Sequence, residues 1–180
     1  SRVATDDRQR GIAKQNLGSI HAQRGDHGAA GDAFEQSRAL FEDAGYARGV
    51  AIATNNLGRL AHDIGDLQRA EPLLRDALTA ARDVGDAELC ALALLNLAQV
   101  RVAQRIFADA SPMVTEAFGH FVVSENRWRQ VECLCVMADI AEGQGDHEDA
   151  RAHLARGAEL AREIGARVEL ARIEERLNDN

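Results

Sequence analysis

The stretch "NNLGRLAHDIGDLQRAEPLL", residues 55–74, determines the fold because it recurs through the chain at a spacing of 40 residues. Its counterparts are "QNLGSIHAQRGDHGAAGDAF" at 15–34, "LNLAQVRVAQRIFADASPMV" at 95–114 and "CVMADIAEGQGDHEDARAHL" at 135–154. The four segments align without a gap. Self-similarity at a fixed period of this length is typical of a repeat protein, in which each unit packs on its neighbours.

Each repeat contains two helical stretches separated by a turn. Small and apolar residues such as Leu57 and Leu60 recur at helical spacing before the turn and form one buried stripe. Gly65 is expected to end the first helix in a left-handed conformation, and Asp66 to cap the start of the next. The pattern predicts helices near 5–24, 27–44, 47–64, 67–84, 87–104, 107–124, 127–144 and 147–164, with a last helix at about 166–177.

This pattern resembles the tetratricopeptide repeat, although the usual period of that family is about 34 residues. The residues on the family's offsets are Leu57, Gly58, Gly65, Ala70, Leu74 and Ala77. Similar lengthened units occur in kinesin light chains and in the regulatory arrays of large bacterial ATP-dependent signalling and transcription proteins. The resemblance implies an all-α, right-handed superhelix in which the first helix of each pair lines a concave groove.

Four units are predicted, at about 5–44, 45–84, 85–124 and 125–164, which together form an array over 5–164. Residues 165–180 are predicted to form a helix that caps the array or belongs to an incomplete further unit. The third unit departs from the pattern because Arg105 and Ile106 replace the Gly-Asp pair, and Glu125 replaces the closing glycine.

Charge and composition exclude several classes of function. The chain carries 21 Lys and Arg against 29 Asp and Glu, a formal net charge of −8. An acidic chain without a basic cluster is not expected to contact nucleic acid or an anionic membrane surface. No apolar run approaches the roughly 20 residues of a membrane span, and no secretory signal is visible. The three cysteines form no disulfide framework, so we expect a cytoplasmic protein.

No catalytic constellation is present in the sequence. There is no phosphate-binding glycine loop, no zinc-ligand spacing and no nucleophile elbow. The six histidines show no metal-binding pattern. The sequence therefore predicts a non-enzymatic protein with no catalytic residue, no cofactor and no metal.

An asparagine column is the leading candidate for function. Asn16, Asn56 and Asn96 recur once per unit on the first helix, which the resemblance places at the groove. An amide both donates and accepts hydrogen bonds, so it can hold the backbone of an extended peptide. The alternative is an amide that bonds to a neighbouring helix and ties one unit to the next. The further groove candidates are Gln15, Ser19, Asn55, Arg59, Asp63, Gln99 and Asp139.

A second candidate surface lies in the third unit, where aromatic residues cluster. Phe118, Phe121 and Trp128 either form an apolar patch for self-association or for docking of a further domain, or they repack a degenerate unit.

The combined prediction is a protein- or peptide-binding module. By resemblance, its setting is the regulatory or sensor segment of a larger bacterial signalling or transcription-regulatory protein, and its partner is a peptide, a protein segment or a neighbouring domain. The alternatives are a free-standing scaffold or self-associating adaptor, and a sensor that binds a small effector molecule in the groove.

Overall fold

All regular structure in the described part of the chain is helical. The computed structural model describes residues 2–179. The helices are α1 (Arg2–Gln23), α2 (His27–Asp43), α3 (Ala47–Asp63), α4 (Leu67–Asp83), α5 (Ala87–Ala103), α6 (Phe107–Val123), α7 (Arg127–Gln144), α8 (His147–Glu163) and α9 (Arg167–Asp179). Every predicted helix is confirmed, with small shifts at the ends. Within residues 2–179, none of these helices has the length and apolar character needed to cross a membrane.

Consecutive helices pack on one another, as in a helical-repeat solenoid. Helix α1 contacts α2, α3 contacts α4, and α7 contacts α8; between pairs, α2 contacts α3, α6 contacts α7, and α8 contacts α9. The chain forms two compact units, residues 1–96 and 97–180. The all-α repeat fold is thereby confirmed, whereas the division into four sequence units stays a prediction.

The Gly-Asp turns form as the sequence predicts. Gly65 has a φ of 80°, in the left-handed region that glycine enters without a steric penalty. The Asp66 side chain accepts a hydrogen bond from the Arg69 backbone N–H at 3.1 Å and so caps α4. Asp26 and Asp146 cap α2 and α8 in the same way. The turn residues therefore set where each second helix begins.

The third repeat makes the same turns without the same residues. Arg105 and Glu125 have φ values of 61° and 53°, where a side chain is disfavoured by about 1 kcal/mol or more. Ile106 precedes α6 and offers no side-chain cap, whereas Asn126 caps α7 through the Arg129 N–H. The Ile106 N–H still donates to the Arg101 carbonyl at 2.8 Å. Backbone hydrogen bonds preserve the turn, although the left-handed conformation of a non-glycine residue costs conformational free energy there.

Small residues allow the paired helices to pack closely. A Cβ placed on Gly58 would lie 2.6 Å from Leu74 Cγ, and one on Gly18 would lie 2.6 Å from the Phe34 ring. Leu74 and Phe34 are completely buried. In the second compact unit, the core cluster includes Val131, Ala138, Ala150, Leu154 and Ile173. The aromatic-poor composition thus builds its core from aliphatic side chains that fit against glycine and alanine.

Candidate functional site

The first two repeats place polar side chains on adjacent first helices, α1 and α3, which are in contact. We call this surface the first-helix face; it comprises Gln15, Asn16 and Ser19 on α1 and Asn56, Arg59 and Asp63 on α3. Asn16 is exposed and Asn56 is half-buried. Within the described residues, neither of these two amides has a hydrogen-bond partner. The face therefore offers two amides that can still bond to a ligand.

The remaining polar groups of the first-helix face are engaged locally. The Ser19 hydroxyl donates to the Gln15 carbonyl at 3.1 Å. Arg59 Nη1 donates to Asp63 Oδ2 at 3.2 Å, one helical turn away. An exposed pair of this kind contributes little stability, but Asp63 offsets the charge of Arg59. The face is therefore nearly neutral.

Asn96 and Asn55 are paired with each other. Both are buried, at 7% and 5% exposure. Asn96 Nδ2 donates to Asn55 Oδ1 at 3.0 Å and ties α5 to α3. A buried amide pair satisfied in this way stabilises the packing of neighbouring helices. For Asn96, this geometry matches the structural alternative raised by the sequence.

Asp139 on α7 is also engaged in a contact between helices, with Arg176 on α9. Arg176 donates to Asp139 Oδ1 at 2.7 Å and lies 3.1 Å from Glu142 Oε1. Burial raises the pKa of Asp139, and this effect outweighs the opposing pull of Arg176. Burial alone would lower the pKa of Arg176. The carboxylates of Asp139 and Glu142 raise it by more, so the pKa of Arg176 lies above its usual value. Gln99, the last groove candidate, is half-buried on α5.

Sequence reasoning missed Arg176, although the 40-residue period contains the signal. Position 176 is the next member of the column that contains positions 16, 56, 96 and 136. Asn96 and Arg176 both donate to a side chain on the preceding first helix. Two members of this column therefore tie successive first helices: Asn96 bonds to α3 and Arg176 bonds to α7.

The proposed aromatic patch needs correction. Phe121 is 0% exposed, so its inclusion in a surface patch was wrong. The reason lies in the period: Phe41, Ala81 and Ala161 occupy the same column and are also buried. Phe118 is half-buried beneath the Arg156 guanidinium, which lies 5.0 Å from the ring centroid. Trp128 remains 45% exposed.

Two of the three thiols, those of Cys133 and Cys135, lack the character of reactive groups. Burial raises the pKa of Cys133 to about 12 and that of Cys135 to about 11, so both stay protonated at neutral pH. Across the described residues, no cluster of three or more His, Cys, Asp or Glu side chains could hold a metal ion.

An open cavity of about 330 Å³ lies where α2, α3 and α4 meet. Its apolar wall includes Leu60 and Ile64, and its polar rim includes Glu35 and Arg69, which are 3.3 Å apart. Gly31 lines the cavity on the α2 side.

Comparison with known proteins agrees with this architecture. Residues 9–83 and 49–121 match the tetratricopeptide repeat family model. No curated protein matches the sequence. The Rap conjugation gene regulator of plasmid pLS20, solved in complex with the Phr* peptide, aligns with a TM-score of 0.84 and 18% identity over 92% of this chain and 46% of that one.

Two further solved structures share the fold. Aspartyl phosphate phosphatase F from Bacillus subtilis aligns with a TM-score of 0.79 and 14% identity, over 92% of this chain and 44% of that one. BtubC (BKLC) from P. vanneervenii aligns with a TM-score of 0.69 and 16% identity, over 86% and 64%. The chain therefore spans less than half the length of the Rap regulator and of the phosphatase.

Proposed function

This chain belongs to the tetratricopeptide repeat family, and from that premise we propose that it is a non-enzymatic module that binds an extended peptide or protein segment. The first-helix face is the proposed contact surface. The proposed setting is the regulatory or sensor segment of a larger signalling or transcription-regulatory protein in the bacterial cytoplasm.

The pair of unpartnered amides is the observation that carries this proposal. Asn16 and Asn56 lie on adjacent helices at equivalent repeat positions. Each amide offers donors and an acceptor that match the N–H and C=O groups of a peptide backbone. Because both side chains lack a partner within the described residues, a bound peptide replaces water and not an internal hydrogen bond. A net contribution of about 1 kcal/mol per contact is expected.

The charge on the face indicates the chemical class of the peptide. Asp63 offsets Arg59, and the whole chain is acidic, with a formal net charge of −8. A neutral or basic segment is therefore favoured over one that presents carboxylates. This charge balance favours binding to the peptide backbone over binding to a carboxylate group of the peptide.

A peptide partner is also supported by analogy. The Rap conjugation gene regulator was solved in complex with the Phr* peptide. At 18% identity the similarity concerns the fold, and function belongs to the site and not to the fold. The analogy therefore supports the ligand class, while the amide pair supports the location.

The test is selection from a library of short random peptides, followed by fluorescence anisotropy. We expect peptides that bind the wild-type chain and bind the Asn16→Ala/Asn56→Ala variant about 10- to 30-fold more weakly, since two amide contacts are lost. Gln68→Ala is the matched control, because Gln68 is an exposed amide on α4, away from the first-helix face. Failure to recover any peptide, or equal binding by the double variant, would contradict the proposal.

The small-molecule alternative has its own observation, the cavity between α2, α3 and α4. A groove or cavity ligand raises the melting temperature by mass action. A metabolite that stabilises both the wild type and Asn16→Ala/Asn56→Ala, but not the cavity-filling variant Gly31→Leu, would select this alternative.

A further inference from the structure

Two glycines of α2, Gly28 and Gly31, occupy positions where the fold does not require glycine. Both lie in regular helix, so neither serves a left-handed turn. A Cβ added to Gly28 would meet nothing within 4 Å, and one added to Gly31 would lie 3.6 Å from Leu60 Cδ2, an ordinary contact distance. Glycine within a helix is less favourable than alanine. The two glycines therefore weaken α2 without allowing a closer contact between helices.

Both glycines line the cavity between α2, α3 and α4, which lies within the first compact unit. They are three residues apart and so face the same side of α2. The volume of about 330 Å³ lies in the range of about 300–1,000 Å³ that is typical of small-molecule sites. The other repeats have larger side chains at these two positions: Gln68, Ala108 and Glu148, and Glu71, Ser111 and Arg151. The glycines thus leave open a space that is specific to the first repeat.

The apolar wall of this cavity contains a second departure from the repeat pattern. Ile64 is 51% exposed and lines the cavity together with Leu57 and Leu60. The equivalent positions of the other repeats are polar: Arg24, Gln104 and Gln144. An exposed isoleucine gains free energy when an apolar group removes it from water. The wall is therefore suited to the apolar part of a ligand.

The rim of the cavity has a carboxylate whose charge is not balanced. Asp32 lines the cavity and is exposed, and within residues 2–179 it makes no hydrogen bond or ion pair. Glu35, one turn further along α2, is paired with Arg69 at 3.3 Å and with Arg38 at 2.7 Å. The other repeats have Pro72, Pro112 and Ala152 at the position of Asp32. The free carboxylate at this position is thus a third feature specific to the first repeat.

We propose that this cavity binds a small molecule with an apolar body and a cationic group, such as a protonated amine. The apolar body contacts Leu60 and Ile64, and the cation lies beside Asp32. An anionic ligand is disfavoured, because two carboxylates and one guanidinium line the cavity. The proposal gives a ligand class to the small-molecule alternative raised above. It does not depend on peptide binding, since among the described residues the first-helix face and the cavity lining share none.

The probes are three compounds in which the same four-carbon chain joins a phenyl ring to a different end group: phenylbutylamine, phenylbutanol and phenylpentanoate. NMR titration of the isotopically labelled full chain measures the affinity of each compound. Asp32→Asn removes the charge and keeps the size of the side chain, whereas Gly31→Leu fills the cavity. Gly119→Leu is the matched control, because Gly119 is an exposed helical glycine on α6 where an added Cβ meets nothing within 4 Å.

We expect the wild-type chain to bind phenylbutylamine about three- to fivefold more tightly than phenylbutanol, and phenylpentanoate most weakly. Asp32→Asn should bind the amine and the alcohol about equally, and Gly31→Leu should lose binding of all three compounds. Gly119→Leu should bind them like the wild type.

Asn16→Ala/Asn56→Ala should also bind the three compounds like the wild type, so failure of the peptide proposal would leave this result unchanged. Circular dichroism confirms that each variant is folded. The proposal is overturned by absent wild-type binding, by a preference for the alcohol or the carboxylate, by an unchanged amine preference in Asp32→Asn, or by wild-type affinity in folded Gly31→Leu.

Discussion

Asn56 and Asn96 occupy the same repeat column, 40 residues apart, yet they lie in different environments. Asn96 is buried and donates to Asn55. Asn56 is half-buried and has no hydrogen-bond partner within residues 2–179. The neighbouring side chains differ: Asn55 on α3 accepts from Asn96, whereas Gln15, at the equivalent position on α1, makes no hydrogen bond with Asn56. Residues of one repeat column occupy equivalent backbone positions, but the side chains around each of them determine its burial and its hydrogen bonds.

The largest effect is expected from truncating a buried member of the adjacent leucine column. Leu57→Ala should lower the free energy of unfolding by about 2–5 kcal/mol, because it opens a cavity in a packed core. Leu17→Ala is the matched control: it makes the same chemical change at the equivalent position, where the leucine is 41% exposed. A loss of about 1 kcal/mol or less is expected there. Urea denaturation measures both, and equal losses would contradict the burial difference on which the comparison depends.

Asn96→Ala is expected to have the next largest effect. The substitution leaves the buried Asn55 carbonyl without its donor, so a loss of about 1–3 kcal/mol is expected. The Asn55→Ala/Asn96→Ala variant should lose less than the sum of the two single changes, because the two side chains satisfy each other. Additive losses in denaturation experiments would show that the pair does not act as a unit.

Restoring the turn motif of the third repeat should stabilise the protein. Arg105→Gly/Ile106→Asp relieves a left-handed arginine and adds the missing cap of α6, for a gain of about 1 kcal/mol. Gly65→Ala/Asp66→Ala should do the opposite at the equivalent turn. Hydrogen exchange over residues 100–128 should slow in the restored variant, and unchanged exchange and stability would show that the irregular turn carries no cost.

The smallest effect concerns the pH dependence of one cap. The Leu89 backbone N–H, together with the Arg48 guanidinium, lowers the pKa of Asp86 below its usual value of 3.8. Because the folded value lies below the unfolded one, Asp86 stabilises the fold above pH 3.8 and loses that contribution as the pH falls through the folded value. Asp86→Ala should therefore cost about 0.5–1 kcal/mol near neutral pH.

The measurement is urea denaturation at a series of pH values, and the difference between Asp86→Ala and wild type should shrink below pH 3.8. Ile106→Ala is the control, since Ile106 precedes α6 without a side-chain cap. A pH-independent difference for Asp86→Ala would contradict the charged cap.

Much of the fold is predictable from the sequence because the interactions that begin and end each helix involve residues close together in the chain, and they recur in each repeat. Gly65 and Asp66 mark a helix end and a helix start by backbone conformation and capping alone, and the 40-residue period carries that signal along the chain. The candidate site is less predictable. Whether Asn96 is paired depends on Asn55 on another helix.

Two errors of the sequence reasoning show the same limit. Phe121 was named as a candidate for a surface patch, with repacking of the third unit as the alternative, although its repeat column is buried. Arg176 was overlooked although its column was known. In both cases the period held the information, but the three-dimensional neighbours were needed to interpret it.

The most direct test of the peptide-binding account measures stability and affinity on the same Asn56→Ala protein, with Asn96→Ala beside it. The probe is a peptide selected on the wild-type chain. The account predicts that Asn56→Ala unfolds within about 0.5 kcal/mol of wild type, since alanine is also the better helix former, but binds the peptide more weakly by about 1 kcal/mol. Asn96→Ala should show the reverse pattern. A clear loss of stability in Asn56→Ala with unchanged affinity would contradict the account.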